Sequence, residues 1–355
     1  MESSAGQPDT SHLSPEQRQR LAKAKLSSLV RDLGVPDALD ALDAADPQVR
    51  GSLTGLMAPS GSAFVASEFG TPHDVAAALS WALKVGSAHL TMFVDFDAGA
   101  AARFASYFAH GPEFTVTVRG VAGSTSAPAD ADLIPELIVT PEPPEGLIEQ
   151  WRAMDLEIVN EHGVTRGEVL GLEVARLVVW PSETGGDDQL HMEVGVGRFD
   201  RDAVWAVNDG QNIDKALIET VRIARASRFP GAPPHPLQRL NRERWLRSMI
   251  IRDPSLVGAS HLAAVGMTTE PAGMKDAHPA AAFGVDDDGN PMLVVASAGV
   301  DLSVVPLAAD LQAALDPTAE LVLAVPRGDV HPIQVRLASM LQPQASVIAL
   351  DAEWG

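Results

Sequence analysis

The sequence predicts an α/β protein in which two βαβαβ units flank a long β-hairpin and a basic helical segment. Three observations carry this. Near the C-terminus, apolar runs of strand length alternate with helical patterns, and the same alternation occurs near the N-terminus. Between the two lie paired runs rich in valine, Val169–Trp180 and Leu190–Val196. After them comes a stretch in which arginines crowd a chain that is otherwise strongly acidic.

Taken in order, Met1–Leu13 is polar and reads as a disordered tail without the apolar core of a signal peptide. Ser14-Pro15-Glu16-Gln17 is a helix start: Ser at the N-cap, Pro at N1 and Gln at N3. That helix runs to Leu33 and stops at Gly34, with Leu21, Leu26, Leu29, Val30 and Leu33 making one apolar face. Arg18, Arg20, Lys23, Lys25 and Arg31 load its remaining surface with positive charge, which reads as a solvated face, with a partner-binding helix as the alternative. Ala38–Ala45 is a short helix, and Gly51–Gly61 reads as a loop.

The first βαβαβ unit follows: Phe64–Ser67, the helix Asp74–Val85, His89–Asp95, a helix around Arg103–Phe108, then Phe114–Arg119. Gly120–Asp132 reads as a loop and Glu136–Thr140 as a strand. The proline cluster Pro141–Gly146 marks a boundary between domains 14–140 and 147–355. Leu147–Glu161 has a helical pattern. In the hairpin, Glu173 is expected near Arg198 and Arg176 near Glu193. Helices over Asp202–Val207, Ile213–Arg228 and Leu237–Ile251 complete the middle.

The last unit runs Ala280–Val285, a turn at Asp286–Asn290, Met292–Ala296, Leu307–Leu315, Glu320–Val325, Pro332–Leu341 and Ser346–Leu350. Val294-Val295-Ala296-Ser297 answers Phe64-Val65-Ala66-Ser67, and Arg336–Leu341 answers Arg103–Phe108, at offsets of 230 to 233 residues. The two units read as an internal repeat, against the alternative that any two such stretches look alike.

The hairpin–helix–strand–helix–strand order over these last seventy or so residues resembles the PD-(D/E)XK nuclease superfamily. In that family an Asp near the first hairpin strand and a Glu-x-Lys on the second hold the catalytic metal. Here Ala296-Ser297-Ala298 stands at the Glu-x-Lys position, and Ala66-Ser67-Glu68 in the earlier unit. The resemblance therefore implies a nuclease-like unit without nuclease chemistry.

Composition narrows the function classes. A net charge of −21 over 355 residues opposes broad binding to nucleic acid or anionic membranes. The absence of cysteine excludes disulfides and thiol catalysis and suits a reducing cytoplasm. No run is long and apolar enough for a membrane span. High Ala, Val, Asp and Arg with few Lys suggests a GC-rich bacterial genome.

Glu168, Glu173, His191 and Glu193 are candidate metal ligands, since His191 and Glu193 share one face of a strand. Salt-paired hairpin residues are the plainer reading. Asp301, Asp310 and Asp329 fall at strand ends or helix starts, where α/β sites form but where ordinary caps also sit. Asp286–Gly289 reads as a turn, and Gly195-x-Gly197 as a strand-end feature rather than a dinucleotide fingerprint. From Lys215 to Arg252 there are nine Lys/Arg and two acids. Arg222, Arg225, Arg228, Arg242 and Arg247 are its candidate contacts to a protein or nucleic-acid partner, against the alternative that they pair with the chain's own carboxylates. The expected function is a non-catalytic α/β binding or scaffold module with no cofactor. A metal-dependent hydrolase using Glu173, His191 and Glu193 is the alternative.

Overall fold

The computed structural model describes residues 13–108, 114–180, 189–208, 212–229, 231–271, 273 and 277–352. The fold is α/β, with ten α-helices and three sheets of six, four and five strands among the described residues. The chain divides into two compact units at Leu133/Ile134.

The N-terminal unit begins with α1 (Pro15–Leu33) and α2 (Pro36–Ala44). Ser14 and Gln17 form the expected capping box, and Gly34 ends α1 in the left-handed conformation. The strands β1 (Gln48–Arg50), β2 (Leu53–Met57), β3 (Ser62–Phe69), β4 (His89–Phe96), β5 (Thr115–Ala122) and β6 (Thr125–Pro128) lie side by side in chain order. Only β3–β4 and β4–β5 are parallel, joined through α3 (Pro72–Lys84) and α4 (Ala98–Ser106). Leu56, Phe64 and Phe93 face Leu26, Leu29 and Val30 of α1.

Two expectations fail here. Residues 51–61 hold β2 rather than a continuous loop. Its Gly55 hides the strand, yet a Cβ there would lie 2.8 Å from the Trp81 ring of α3. Residues 120–132 hold the β5–β6 hairpin, and 136–140 is not a strand.

In the C-terminal unit, α5 (Glu145–Ala153) ends early and the chain turns into a wholly antiparallel sheet of β7 (Glu157–Glu161), β8 (Val164–Val169), β9 (Leu172–Trp180) and β10 (Gln189–Val194). The expected helix over 147–161 is thus a helix plus a strand, and the expected long strand over 169–180 breaks at Leu170-Gly171. After α6 (Arg198–Asn208) and α7 (Ile213–Ser227), Trp151, Leu217, Val221 and Ala224 share a core with Leu172, Val174 and Leu177.

Next come α8 (Arg242–Arg252) and the five-stranded sheet of β11 (Ala259–Val265), β12 (Ala280–Asp286), β13 (Pro291–Ala296), β14 (Glu320–Pro326) and β15 (Ser346–Leu350), again in chain order. Its parallel crossovers carry α9 (Val304–Leu315) and α10 (Pro332–Ser339). Leu246 and Ile250 of α8 pack on Val294, Ala296, Val322 and Ala324. The pairing sense of β11–β15 matches that of β1–β5 at every step. Val294 stands 230 residues after Phe64, and each faces the helix that precedes its sheet.

The boundary at 133/134 precedes the expected 141–146. The backbone of Asp132 and Leu133 is hydrogen-bonded to Gly99 and Arg103, which ties this stretch to the first unit. Proline marks where a chain is stiff, while packing decides where a unit ends. No helix among the described residues is long and apolar enough to cross a membrane.

Candidate functional site

Two tight turns shape the charged heart of the C-terminal unit. His162-Gly163 joins β7 to β8, and Leu170-Gly171 joins β8 to β9; all four residues have positive φ. That is the type I′ geometry suited to two-residue hairpins. At Gly171 no other residue fits, because a Cβ would lie 2.2 Å from the Arg244 carbonyl carbon. The β8–β9 turn therefore sits directly on the α8 backbone.

The register then lines up acids. Glu157 stands opposite Glu168, and Glu168 opposite Glu173, so three carboxylates cross three adjacent strands. Like charges directly opposite one another destabilise a sheet, so such a row needs cations. Arginines supply them. Arg247 bonds Glu161 and Glu168, each at 3.1 Å. Arg244 binds Glu161 and bonds Glu168 at 2.6 Å. Arg166 reaches Glu173 at 2.9 Å and Glu161 at 3.4 Å, and Arg201 of α6 reaches Glu173 at 2.8 Å and Glu193 at 3.4 Å. Arg252 and the Ser248 hydroxyl donate to Glu157.

Burial sets the strength of this network. The side chains of Arg247, Glu161 and Glu168 are 2%, 4% and 1% exposed. Burial alone would raise the Glu161 carboxyl, but Arg247, Arg244 and Arg166 outweigh it and hold it at about 2. The Arg244 guanidinium opposes its own desolvation through Glu168 and Glu161 and is pushed above its ordinary value. Glu157 is shifted the other way, its pKa raised first by burial.

The sequence candidates divide accordingly. Glu173 and Glu193 are gathered around Arg201, with Glu193 also 2.8 Å from Arg176, as the expected cross-strand pair requires. Glu173 does not meet Arg198: the strand has ended and Arg198 opens α6, facing Asp202. His191 stacks on Trp180 with ring centroids 4.3 Å apart. Among the described residues no three His, Asp or Glu side chains are placed to hold a metal ion.

The strand-end acids serve local structure. Asp301 accepts from the Ser303 amide and hydroxyl, Asp329 from the Gly299 amide, and buried Asp310 from Thr268. Asp286 closes its turn onto Asp288 and Asn290, and Ser297, where a Glu-x-Lys would centre, is buried. A hollow of about 140 Å³ lined by Arg50, Leu53, Gly55, Val65, Ala77 and Trp81 offers no acid–base pair.

Of the partner-binding candidates, Arg228 and Arg247 are corrected. Both are buried, so neither can meet a partner. Arg228 donates to the carbonyls of Leu170, Leu237, Leu240 and Asn241 and lies 4.6 Å over the Trp245 ring. Desolvation lowers its pKa to about 10. Arg242 is half-buried at the start of α8. Arg222 and Arg225 are exposed, and they pair with Glu219 and Asp155. Glu183, Asp187 and Asp188 of the hairpin, the carboxylates offered for internal pairing with these arginines, lie outside the described residues.

Sequence reasoning missed Glu157, Glu161, Arg166 and Arg201. The first two were hidden by reading 147–161 as one helix. The break was signalled by Asp155, which takes positive φ, and by the β-forming run Ile158-Val159. Comparison with protein-family models, with curated proteins and with solved structures finds no match.

Proposed function

We propose that the chain is a non-catalytic α/β binding or scaffold module for a protein or nucleic-acid partner, working in the cytoplasm. The observation that carries this reading is the acid row Glu157–Glu168–Glu173. In it three carboxylates face one another across adjacent strands, and guanidinium groups pair with them. Charge spent in this way positions α8 and α6 on the sheet rather than a substrate.

The matching strand order of the two flanking sheets supports reading them as copies of one unit, nuclease-like in layout but without its Glu-x-Lys. The absence of cysteine fits the compartment. Of the candidates read from 215–252, Arg222 and Arg225 remain exposed, each paired with an acid of the same unit.

A thermal-shift titration with Mg²⁺, Mn²⁺ and Zn²⁺ tests the reading. The midpoint is expected to stay constant. A metal-dependent rise that disappears in Glu193→Gln would establish the hydrolase alternative instead.

A further inference from the structure

We propose that the outward face of α1 docks an acidic, extended segment of a partner protein; this names a surface for the binding role proposed above and rests on it. Five cations, Arg18, Arg20, Lys23, Lys25 and Arg31, lie on this helix, with no acid between Gln17 and Val30. Lys25 is bound to Asp95. Among the described residues no hydrogen bond or ion pair engages the side chains of Arg18, Arg20, Lys23 or Arg31. In a chain of net charge −21, cations left unpaired on one helix are a feature to explain.

The helical repeat sorts them. Leu26, Leu29 and Val30 face the core. On the opposite side run Arg20, Ala24, Ser27, Ser28 and Arg31, with Leu21 beside them at 52% exposure. Arg20 and Arg31 are about 16 Å apart along the axis, with only small side chains between them. A backbone can therefore approach closely between two positive ends.

The other unit shows how such a face is covered. In α8, Leu246, Ser248 and Ile250 correspond to Leu26, Ser28 and Val30, and both helices pack on the same side of equally ordered sheets. The outward side of α8 is covered by strands bearing Glu157, Glu161 and Glu168, with Ser248 donating to Glu157. α1 keeps the serine, Ser28, but has Ala24 and Ser27 where α8 has Arg244 and Arg247; its own cations, Arg20 and Arg31, flank that stretch, with no such cover among the described residues. The occupant that fits is a strand with carboxylates four or six residues apart on one face, spanning about 13–20 Å, which brackets that separation. A protein segment is favoured over nucleic acid. The face has no aromatic ring to stack a base, and a polyphosphate suffers more repulsion from the acidic remainder.

The test uses the full chain and a fluorescent dodecapeptide of alternating glutamate and serine, followed by anisotropy. Saturable binding is expected at low salt, weakening about tenfold or more at high salt. Arg20→Glu with Arg31→Glu should weaken it about tenfold without moving the thermal midpoint, Arg20→Lys with Arg31→Lys should retain it, and Lys84→Glu, at an exposed cation of α3, should leave it unchanged. No binding by the parent chain, equal binding by the α1 charge reversal, or tighter binding of a single-stranded dodecanucleotide through the same arginines would overturn the proposal. Such a failure is separable from failure of the non-catalytic reading, which the metal titration decides.

Discussion

Acidification should destabilise this protein through one identifiable carboxyl. Glu161 is held at about 2 in the folded chain against an ordinary value of 4.5. A carboxyl depressed in this way binds its proton more tightly in the unfolded chain. Its contribution is therefore complete above pH 4.5 and is lost as pH falls towards 2. At neutral pH the contribution is about 3 kcal/mol, a large fraction of an ordinary domain's stability. Glu157, with its raised value, contributes in the opposite sense on acidification, so a variant is needed to isolate Glu161. The assay is urea denaturation of the parent chain and Glu161→Gln at intervals from pH 7 to pH 3. The parent should lose about 2 kcal/mol more than the variant across that range, the remainder being lost only as pH falls further towards 2. Parallel pH profiles for the two would refute the reasoning, because Glu161 would then carry no linked proton.

Further outcomes follow from the same geometry. Arg247→Met leaves Glu161 and Glu168 buried with Arg244 still beside them, and should cost about 3 kcal/mol in the same denaturation assay. Gly171→Ala drives a methyl into the Arg244 carbonyl at a positive φ, and should cost about 3 kcal/mol or prevent accumulation of folded protein, read by circular dichroism. Gly55→Val collides with the Trp81 ring and should cost about 1–3 kcal/mol, with a change in tryptophan fluorescence as the ring moves. His162 and His278 are both shifted down, first by desolvation. Folding therefore opposes their protonation, and His162→Gln with His278→Gln should flatten the stability profile between pH 7 and pH 5.

The fold was legible where periodicity is strong. Ser14 and Gln17 announced α1, and the valine-rich runs at 292–296 and 320–325 announced β13 and β14. What stayed hidden has local causes. β2 is interrupted by Gly55, whose missing side chain serves Trp81 on another element. The short, mixed-polarity β11 carries no pattern that separates it from a loop. The site was half legible: Arg176–Glu193 follows from hairpin register, and the arginine excess over 215–252 was visible as charge. Its inward direction was not, because Arg228, Arg244 and Arg247 satisfy themselves on carbonyls and carboxylates some 10 to 90 residues away in sequence.

The packing of α8 depends on its arginines being bound to the acids of the four-stranded sheet. A double-mutant cycle on Glu161→Gln and Arg247→Met measures that link directly by urea denaturation at neutral pH. A favourable coupling of about 2 kcal/mol or more is expected for a pair this deeply buried. Additive effects, with a coupling near zero, would contradict the account and return both side chains to the pool of groups available for a ligand or partner.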